Sequence, residues 1–153
     1  MSIIEQCIKD IKEKLYIAKT DLIIDPCAGC MNFVNAIQHL SATSLFYSSD
    51  QDTNNAHPTI QHLDFLTLDF IQFDKTALSG LWYDYVHIIS YPSDHMVPSF
   101  IKKCCEFADS ISFILPLGLE EHFTKEYRKV FSRELPLIRK VFQIWQRDSA
   151  LIF

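Results

Sequence analysis

Glycine is scarce in this chain, with three residues among 153. Few backbone positions can therefore adopt a positive φ without strain. No apolar run is long enough to cross a membrane, and the N-terminus lacks the basic and then apolar segments of a signal peptide. Five cysteines, an odd number, favour a reducing compartment in which most thiols stay reduced. The sequence therefore predicts a soluble, intracellular protein with no membrane partner.

Basic residues are nearly absent from the middle of the chain. Residues 41–100 contain seven Asp and one Lys but neither Glu nor Arg, a net charge of −6, whereas residues 120–153 carry +2. Wrapping nucleic acid without sequence preference needs basic surface that displaces counterions, so the acidic middle argues against that function. The pattern still allows a nucleic acid that contacts the basic end alone.

Apolar residues make up 48% of the chain, which is enough for one packed domain over 1–153. Ser2 and Glu5 form a capping box, and the apolar spacing behind them predicts an amphipathic packing helix over 3–18. Strands alternate with helices from residue 21 onward, which indicates an α/β fold with a mostly parallel sheet. Strands are predicted at 22–24, 45–47, 83–90, 111–115 and 141–145, a strand end and turn at 62–73, and helices at 31–40, 98–108 and 119–132. The chain thus divides into an N-terminal helix (1–20), a binding core (21–116) and a terminal helix and strand (117–153).

Acidic and small residues follow the strands, at the sheet edge where open α/β sheets bind ligands. After the first strand, Asp25 precedes a tight turn of small residues, which lets backbone approach a nucleotide-like ligand. Asp50 lies 25 residues further on, where an acid commonly bonds ribose hydroxyls. Asp64 and Phe65, after the strand end at 62–73, are suited to an adenine amine and ring. Residues 90–93 come at the end of the fourth strand, 83–90. Each signal is weak alone, and their order and spacing together carry the hypothesis.

These stretches resemble class I S-adenosylmethionine-dependent methyltransferases, in the branch related to N6-adenine methyltransferases. That branch typically has DPxxGxGxF at the first turn and NPPF or NPPY after the fourth strand. The corresponding stretches here are DPCAGCMNF (25–33) and SYPS (90–93). FADSISFILP (107–116) and VFQIWQR (141–147) are similar to short methyltransferase-like proteins of large DNA viruses of protists. The resemblance runs from about residue 3 to residue 147.

The resemblance implies a Rossmann-like three-layer sandwich, trimmed at its C-terminal end, that binds S-adenosylmethionine. The implied cofactor-binding residues are Asp25, Pro26, Cys27, Ala28 and Gly29 beside the methionine part, Asp50 at the ribose, Asp64 and Phe65 at the adenine, and Ser90. The implied catalytic stretch is Ser90, Tyr91, Pro92 and Ser93, and no metal is implied. The substrate would be an adenine amine in nucleic acid that attacks the cofactor methyl in line. A virus-encoded member would act in the host cytoplasm or the virion.

The catalytic stretch departs from the pattern of this branch. Ser90 replaces the Asn that holds the target amine, and Ser93 replaces the aromatic residue that stacks on the extruded base. Tyr91 could stack from the neighbouring position. Met31 replaces a glycine of the first turn and places a side chain where backbone normally approaches the cofactor. Losing the groups that orient the substrate can lower the reaction rate by orders of magnitude. The departures therefore favour a catalytically impaired or non-catalytic relative. Such a relative could be a structural protein, or its site could be completed by a protein partner.

Cys27 and Cys30 also form a C-x-x-C after a strand. This layout is typical of thiol–disulfide oxidoreductases, in which Cys27 would attack and Cys30 would resolve the mixed disulfide. The sequence favours the simpler interpretation, two small residues at a tight turn. A zinc site is not predicted, because Cys104 and Cys105 are adjacent in a predicted helix and their side chains diverge.

Overall fold

The computed structural model describes residues 1–29, 33–40, 43–48, 60–68 and 83–148. Helix α1 spans Ile3–Lys14 and begins at the predicted capping box, in which Ser2 Oγ accepts from Glu5 N at 3.1 Å. It ends earlier than residue 18. The Asp21 carboxylate accepts the Ala18 N–H at 3.0 Å, and the Asp21 N–H donates to the Ala18 carbonyl. This turn leads the chain into the first strand in place of another helical turn.

The described residues form a seven-stranded sheet in the order β3-β2-β1-β4-β5-β7-β6. Its first five strands are parallel, and β7 lies antiparallel between β5 and β6. The strands are β1 (Leu22–Asp25), β2 (Thr43–Ser48), β3 (Ile60–His62), β4 (Val86–Ser90), β5 (Ser110–Leu115), β6 (Tyr127–Leu135) and β7 (Lys140–Arg147). Two further helices are α2 (Val34–Ile37) and α3 (Val97–Cys104).

Both faces of the sheet are covered, which confirms the predicted three-layer α/β fold. Residues of α1 and α2 pack on one face, against Ile23, Ile89 and Ile114. Residues of α3 pack on the other face, against Ile88 and Phe113. All six residues of β5 are buried, as expected for a central strand covered by helices on both sides.

The predicted helix over 119–132 is wrong. This stretch contains one 3₁₀ turn at Glu120–His122, and β6 then runs from Tyr127 to Leu135 as the antiparallel partner of β7. The outer edge of β7 carries backbone N–H and C=O groups that need partners, and β6 supplies them. Tertiary pairing thus overrides the local helical pattern. Over its described residues, the predicted terminal helix and strand form a β-hairpin.

The other predicted elements agree with the structure in type and differ at their ends. The fourth strand begins at Val86, and α3 begins one residue before Pro98 and ends at Cys104. The stretch at 62–73 shows, over its described residues, the end of β3 and a 3₁₀ turn at Phe65–Thr67. No helix in the described part of the chain is long and apolar enough to cross a membrane.

The FQIW stretch has a structural role in β7. The Trp145 indole N–H donates to Gln143 Oε1 at 3.0 Å, and Gln143 Nε2 donates to Glu120 at 2.7 Å. The Trp145 ring stacks on Phe123 with the ring centroids 4.1 Å apart. These contacts fix the loop between β5 and β6 against the sheet, so the polar atoms of a buried glutamine and tryptophan are paired.

Candidate functional site

The connections of the sheet diverge between β1 and β4. The chain leaves β1 toward α2, on one face of the sheet, and leaves β4 toward α3, on the other face. The two strands are neighbours, so the connections open a crevice at their carboxyl ends. Open α/β sheets bind ligands at such a switch point. Asp25 is the last residue of β1, and Ser90 is the last residue of β4.

The side chains of Asp25 and Ser90 are hydrogen-bonded to each other, although the two residues lie 65 positions apart in the sequence. Ser90 Oγ donates to Asp25 Oδ1 at 2.5 Å, and the Cys27 backbone N–H donates to the same oxygen at 3.1 Å. The Asp25 residue is 2% exposed and Ser90 is fully buried. Burial raises the pKa of the Asp25 carboxyl to about 7, and the two hydrogen bonds oppose this shift only in part. The carboxyl therefore changes charge near neutral pH.

The turn after β1 is attached to the neighbouring strand. The Ala28 N–H donates to the Tyr47 carbonyl of β2 at 2.8 Å. Ala28 and Gly29 are buried, whereas Cys27 is half-buried. The backbone of the predicted cofactor turn thus lies at the carboxyl edge of the sheet beside Asp25.

The predicted catalytic stretch runs from the buried end of β4 to the surface. Pro92 is buried, Tyr91 is half-buried, and Ser93 is exposed. The Lys140 ammonium lies 5.4 Å from the centroid of the Tyr91 ring and also pairs with the Asp94 carboxylate. The sequence marks Lys140 only as one charge of the basic C-terminal segment, because no local pattern links the start of β7 to the stretch after β4. Lys140 therefore ties the stretch after β4 to the β6–β7 hairpin.

Asp64 and Phe65 have structural contacts of their own. Asp64 Oδ1 accepts the Leu66 N–H at 3.0 Å and caps the 3₁₀ turn. Phe65 is 1% exposed and packs against the rings of Tyr47, Phe100 and Phe107. Capping and core packing account for both residues, and their contact with an adenine stays a prediction.

Some predicted site residues lie outside the described residues. They are Asp50, the ribose candidate, and Cys30 and Met31 in the first turn. The thiol–disulfide alternative needs Cys30 beside Cys27, so it too stays a prediction. Of the predicted site residues, the structure brings together Asp25, Ser90 and the turn at 26–29.

Searches of protein families and of curated protein sequences found no match. Solved structures do match. TrmN from Thermus thermophilus superposes with a TM-score of 0.61 at 12% identity, over 95% of this chain and 48% of that protein. HI0767 from Haemophilus influenzae, classed as a candidate methylase, gives 0.61 at 14% identity, over 92% of this chain and 98% of that protein. The 23S rRNA methyltransferase ErmE gives 0.60 at 12% identity, over 93% of this chain and 67% of that protein.

This chain has the class I methyltransferase fold. At sequence identities this low, the superposition establishes the architecture, whereas an activity has to be argued from the site. The chain spans about half the length of TrmN and nearly all of HI0767. In the class I methyltransferase fold of this chain, Asp25 and Ser90 occupy the ends of β1 and β4, the two central strands at the switch point.

Proposed function

We propose that this chain binds S-adenosylmethionine at the carboxyl ends of β1 and β2 and transfers its methyl group weakly, to an adenine amine in nucleic acid. The observation that carries the proposal is the buried Asp25–Ser90 pair at the switch point of a class I methyltransferase fold. When bound, the cofactor supplies an electrophilic methyl group. The chain contributes binding and orientation, which are the main terms in such a transfer.

The residues at the end of β1 fit the methionine part of this cofactor. Asp25 is a buried carboxyl, and a buried carboxylate is stable only beside a positive group or several hydrogen-bond donors. The methionine part carries an ammonium and a sulfonium, so it would supply that positive charge. The turn at 26–29 brings backbone close to the same edge of the sheet.

The residues after β4 support orientation of a substrate less well. The Ser90 hydroxyl donates its proton to Asp25, so toward a target amine it can act only as an acceptor, and it is fully buried. Ser93 is exposed and has no ring to stack on a base. Tyr91 carries a ring that Lys140 already contacts. Binding of the cofactor is therefore better supported than fast catalysis.

Two observations favour nucleic acid as the substrate class. ErmE is named as a 23S rRNA methyltransferase, and a matching Plasmodium falciparum protein as a dimethyladenosine transferase. The hairpin of β6 and β7 also presents the exposed basic residues Arg128 and Arg139. Basic side chains of this kind contact phosphates.

Calorimetric titration with S-adenosylmethionine and S-adenosylhomocysteine tests the binding half of the proposal. We expect micromolar affinity, weakened at least about tenfold in Asp25→Ala because a charged partner is lost. Asp84→Asn is the control, since this exposed carboxylate precedes β4 at the opposite edge of the sheet. Absence of binding at millimolar ligand would overturn the proposal.

Gain of function tests the catalytic half. Ser93 is exposed, so Ser93→Phe can add a ring without crowding the core. We expect Ser93→Phe to transfer methyl groups to adenine-containing RNA or DNA faster than the wild type, because a stacked base is better oriented. Ser93→Leu adds apolar bulk without a ring and serves as the matched control. Equal rates for the two variants would show that stacking at this position does not limit the reaction.

A further inference from the structure

Lys140 is a cation held in place beside the stretch after β4. It is the first residue of β7, and its ammonium lies 5.4 Å from the centroid of the Tyr91 ring and pairs with the Asp94 carboxylate. The Lys140 side chain is 14% exposed, so most of its stem is covered. A lysine whose stem is already ordered loses little conformational freedom when its ammonium binds an anion. The Lys140 ammonium is therefore better prepared to bind an anion than a lysine that extends freely into solvent.

Asp94, the anionic partner of Lys140, lies on the surface. Its side chain is 61% exposed, and it begins the 3₁₀ turn Asp94–Met96. An ion pair with one partner in solvent contributes little to stability, because water screens the attraction. Another anion can therefore replace the Asp94 carboxylate at Lys140 with little effect on the fold.

Arg139 places a second cation next to Lys140, on a strained backbone. Its φ of 56° and ψ of 44° lie in the left-handed region, where a non-glycine residue is uncommon and glycine is unstrained. The residue is exposed and follows the 3₁₀ turn Pro136–Ile138 at the tip of the hairpin of β6 and β7. Strained residues of this kind cluster at binding sites. The hairpin tip thus carries two consecutive basic residues, the first at a position where glycine would relieve the strain.

The two edges of the sheet differ in charge. A cavity at the amino ends of the parallel strands is lined by the carboxylates Asp21, Asp84 and Asp109, and none of the described residues that line it is Lys or Arg. The hairpin tip lies at the opposite edge, because β6 and β5 are both antiparallel to β7 and therefore run in the same direction. Acidic side chains repel a phosphate and basic side chains attract it, so the charge directs a polyanion to the edge at which Asp25 and Ser90 lie.

We infer that Arg139 and Lys140 bind adjacent phosphates of a nucleic-acid strand, and that Asp94 occupies Lys140 until a phosphate replaces it. The inference rests on the proposed function and deepens it, because it names where the substrate backbone is held. In the exchange, the Lys140 ammonium donates to a phosphate oxygen, and the Asp94 carboxylate returns to water. The Tyr91 ring keeps the ammonium in position. The bound strand then lies beside the stretch that begins at Ser90.

Two substitutions with opposite expected effects test the exchange. Fluorescence anisotropy with labelled single-stranded RNA and DNA of one adenine-containing sequence, at several salt concentrations, measures the affinity and its salt dependence. We expect Lys140→Gln to weaken binding about fivefold or more and to reduce the slope of log affinity against log salt by about 0.7, the value for one phosphate contact on a single strand. Asp94→Asn should strengthen binding severalfold, because no carboxylate then competes for Lys140. The variant with both substitutions should bind like Lys140→Gln, since Asp94 acts through Lys140.

Glu126→Gln is the matched control for Asp94→Asn. It removes the same charge from an exposed side chain, which pairs with Arg147 at 3.4 Å beside the start of β6. We expect it to change the affinity for either oligonucleotide much less than Asp94→Asn does. Equal effects of the two substitutions would overturn the inference, since affinity would then follow the net charge alone.

Arg139→Gly should act in opposite directions on stability and on binding. Glycine relieves the strained φ, so the midpoint of urea denaturation should rise. The affinity for both oligonucleotides should fall severalfold, and the salt slope should fall by about 0.7. Arg139→Asn also removes the charge and tolerates the left-handed region, so it should weaken binding to the same extent. Affinity equal to that of the wild type in these two variants would overturn the contact given to Arg139.

The remaining outcomes separate this inference from a structural role and from the proposed function. If the ion pair only ties the stretch after β4 to the hairpin, Lys140→Gln and Asp94→Asn should both weaken binding, and that result would overturn the inference. If the wild type binds S-adenosylmethionine in calorimetry but neither oligonucleotide at low salt, this inference fails while binding of the cofactor stands. If it binds neither the cofactor nor an oligonucleotide, the proposed function fails as well.

Discussion

Replacing Asp25 by Asn should stabilise the fold at alkaline pH and have little effect at acid pH. The Asn side chain has nearly the same shape, and its oxygen can still accept from Ser90 Oγ and the Cys27 N–H. It cannot ionise, so the variant avoids the cost of a buried negative charge. The substitution therefore isolates the charge of Asp25 from its packing.

The size of the effect follows from the pKa of Asp25. Burial raises this pKa from 3.8 to about 7 in the folded protein. The folded state then holds the proton more tightly than the unfolded chain. The stability that Asp25 contributes is fully present below about pH 3.8 and is lost as the pH rises through about 7. This rise in the pKa corresponds to about 4 kcal/mol of free energy. Between about pH 4 and pH 8, the free energy of unfolding of the wild type should therefore fall by about that much relative to Asp25→Asn.

Urea denaturation at several pH values measures this difference. We expect the free energy of unfolding of Asp25→Asn minus that of the wild type to rise steadily with pH. Asp84→Asn is the control, because this exposed carboxylate accepts from Thr20 Oγ1 at 3.2 Å and precedes β4, at the opposite edge of the sheet from Asp25. A difference that stays constant with pH would contradict this prediction, since burial would then not dominate the ionisation of Asp25.

Two further predictions concern contacts remote from the site. Arg133 makes a bidentate ion pair with Asp10, at 2.9 and 2.7 Å, and Asp10 is 1% exposed. Arg133→Met leaves that buried carboxylate with one amide donor, from Gln6, so the free energy of unfolding measured in urea should fall by about 3 kcal/mol. Adding Asp10→Asn should recover much of this loss, because it removes the unpaired charge. Trp145→Phe keeps a ring to stack on Phe123 but removes the donor to buried Gln143, which should cost about 1–2 kcal/mol in the same assay. No loss in either variant would contradict the role given to its contact.

Local patterns predicted most of the elements. The capping box at Ser2 and the buried run Leu22–Ile24 depend on residues adjacent in sequence, and the structure places α1 and β1 there. The stretch 119–132 was mispredicted because its strand is fixed by pairing with β7. The period of its side chains carries no information about that partner.

The site was predictable as a set of strand ends and not as a set of contacts. Asp25 and Ser90 were identified from their positions after two strands, and the structure brings them together. Asp64 was identified by the same rule but caps its own turn. An acid after a strand satisfies either role, and sequence alone does not separate them.

The alternation of strands and helices along the chain is enough to predict the α/β architecture, because such elements can cover a sheet in few ways. The same local pattern indicates which residues stand at the carboxyl ends of β1 and β4. That those two strands are neighbours, and hence that Ser90 donates to Asp25, depends on how distant segments pair in the sheet. The neutral-range pKa of Asp25 likewise arises from burial, which depends on how distant segments cover the carboxyl. Hydrogen bonding and burial between distant segments are properties of the folded chain, so the chemistry of this pair emerges only with the fold.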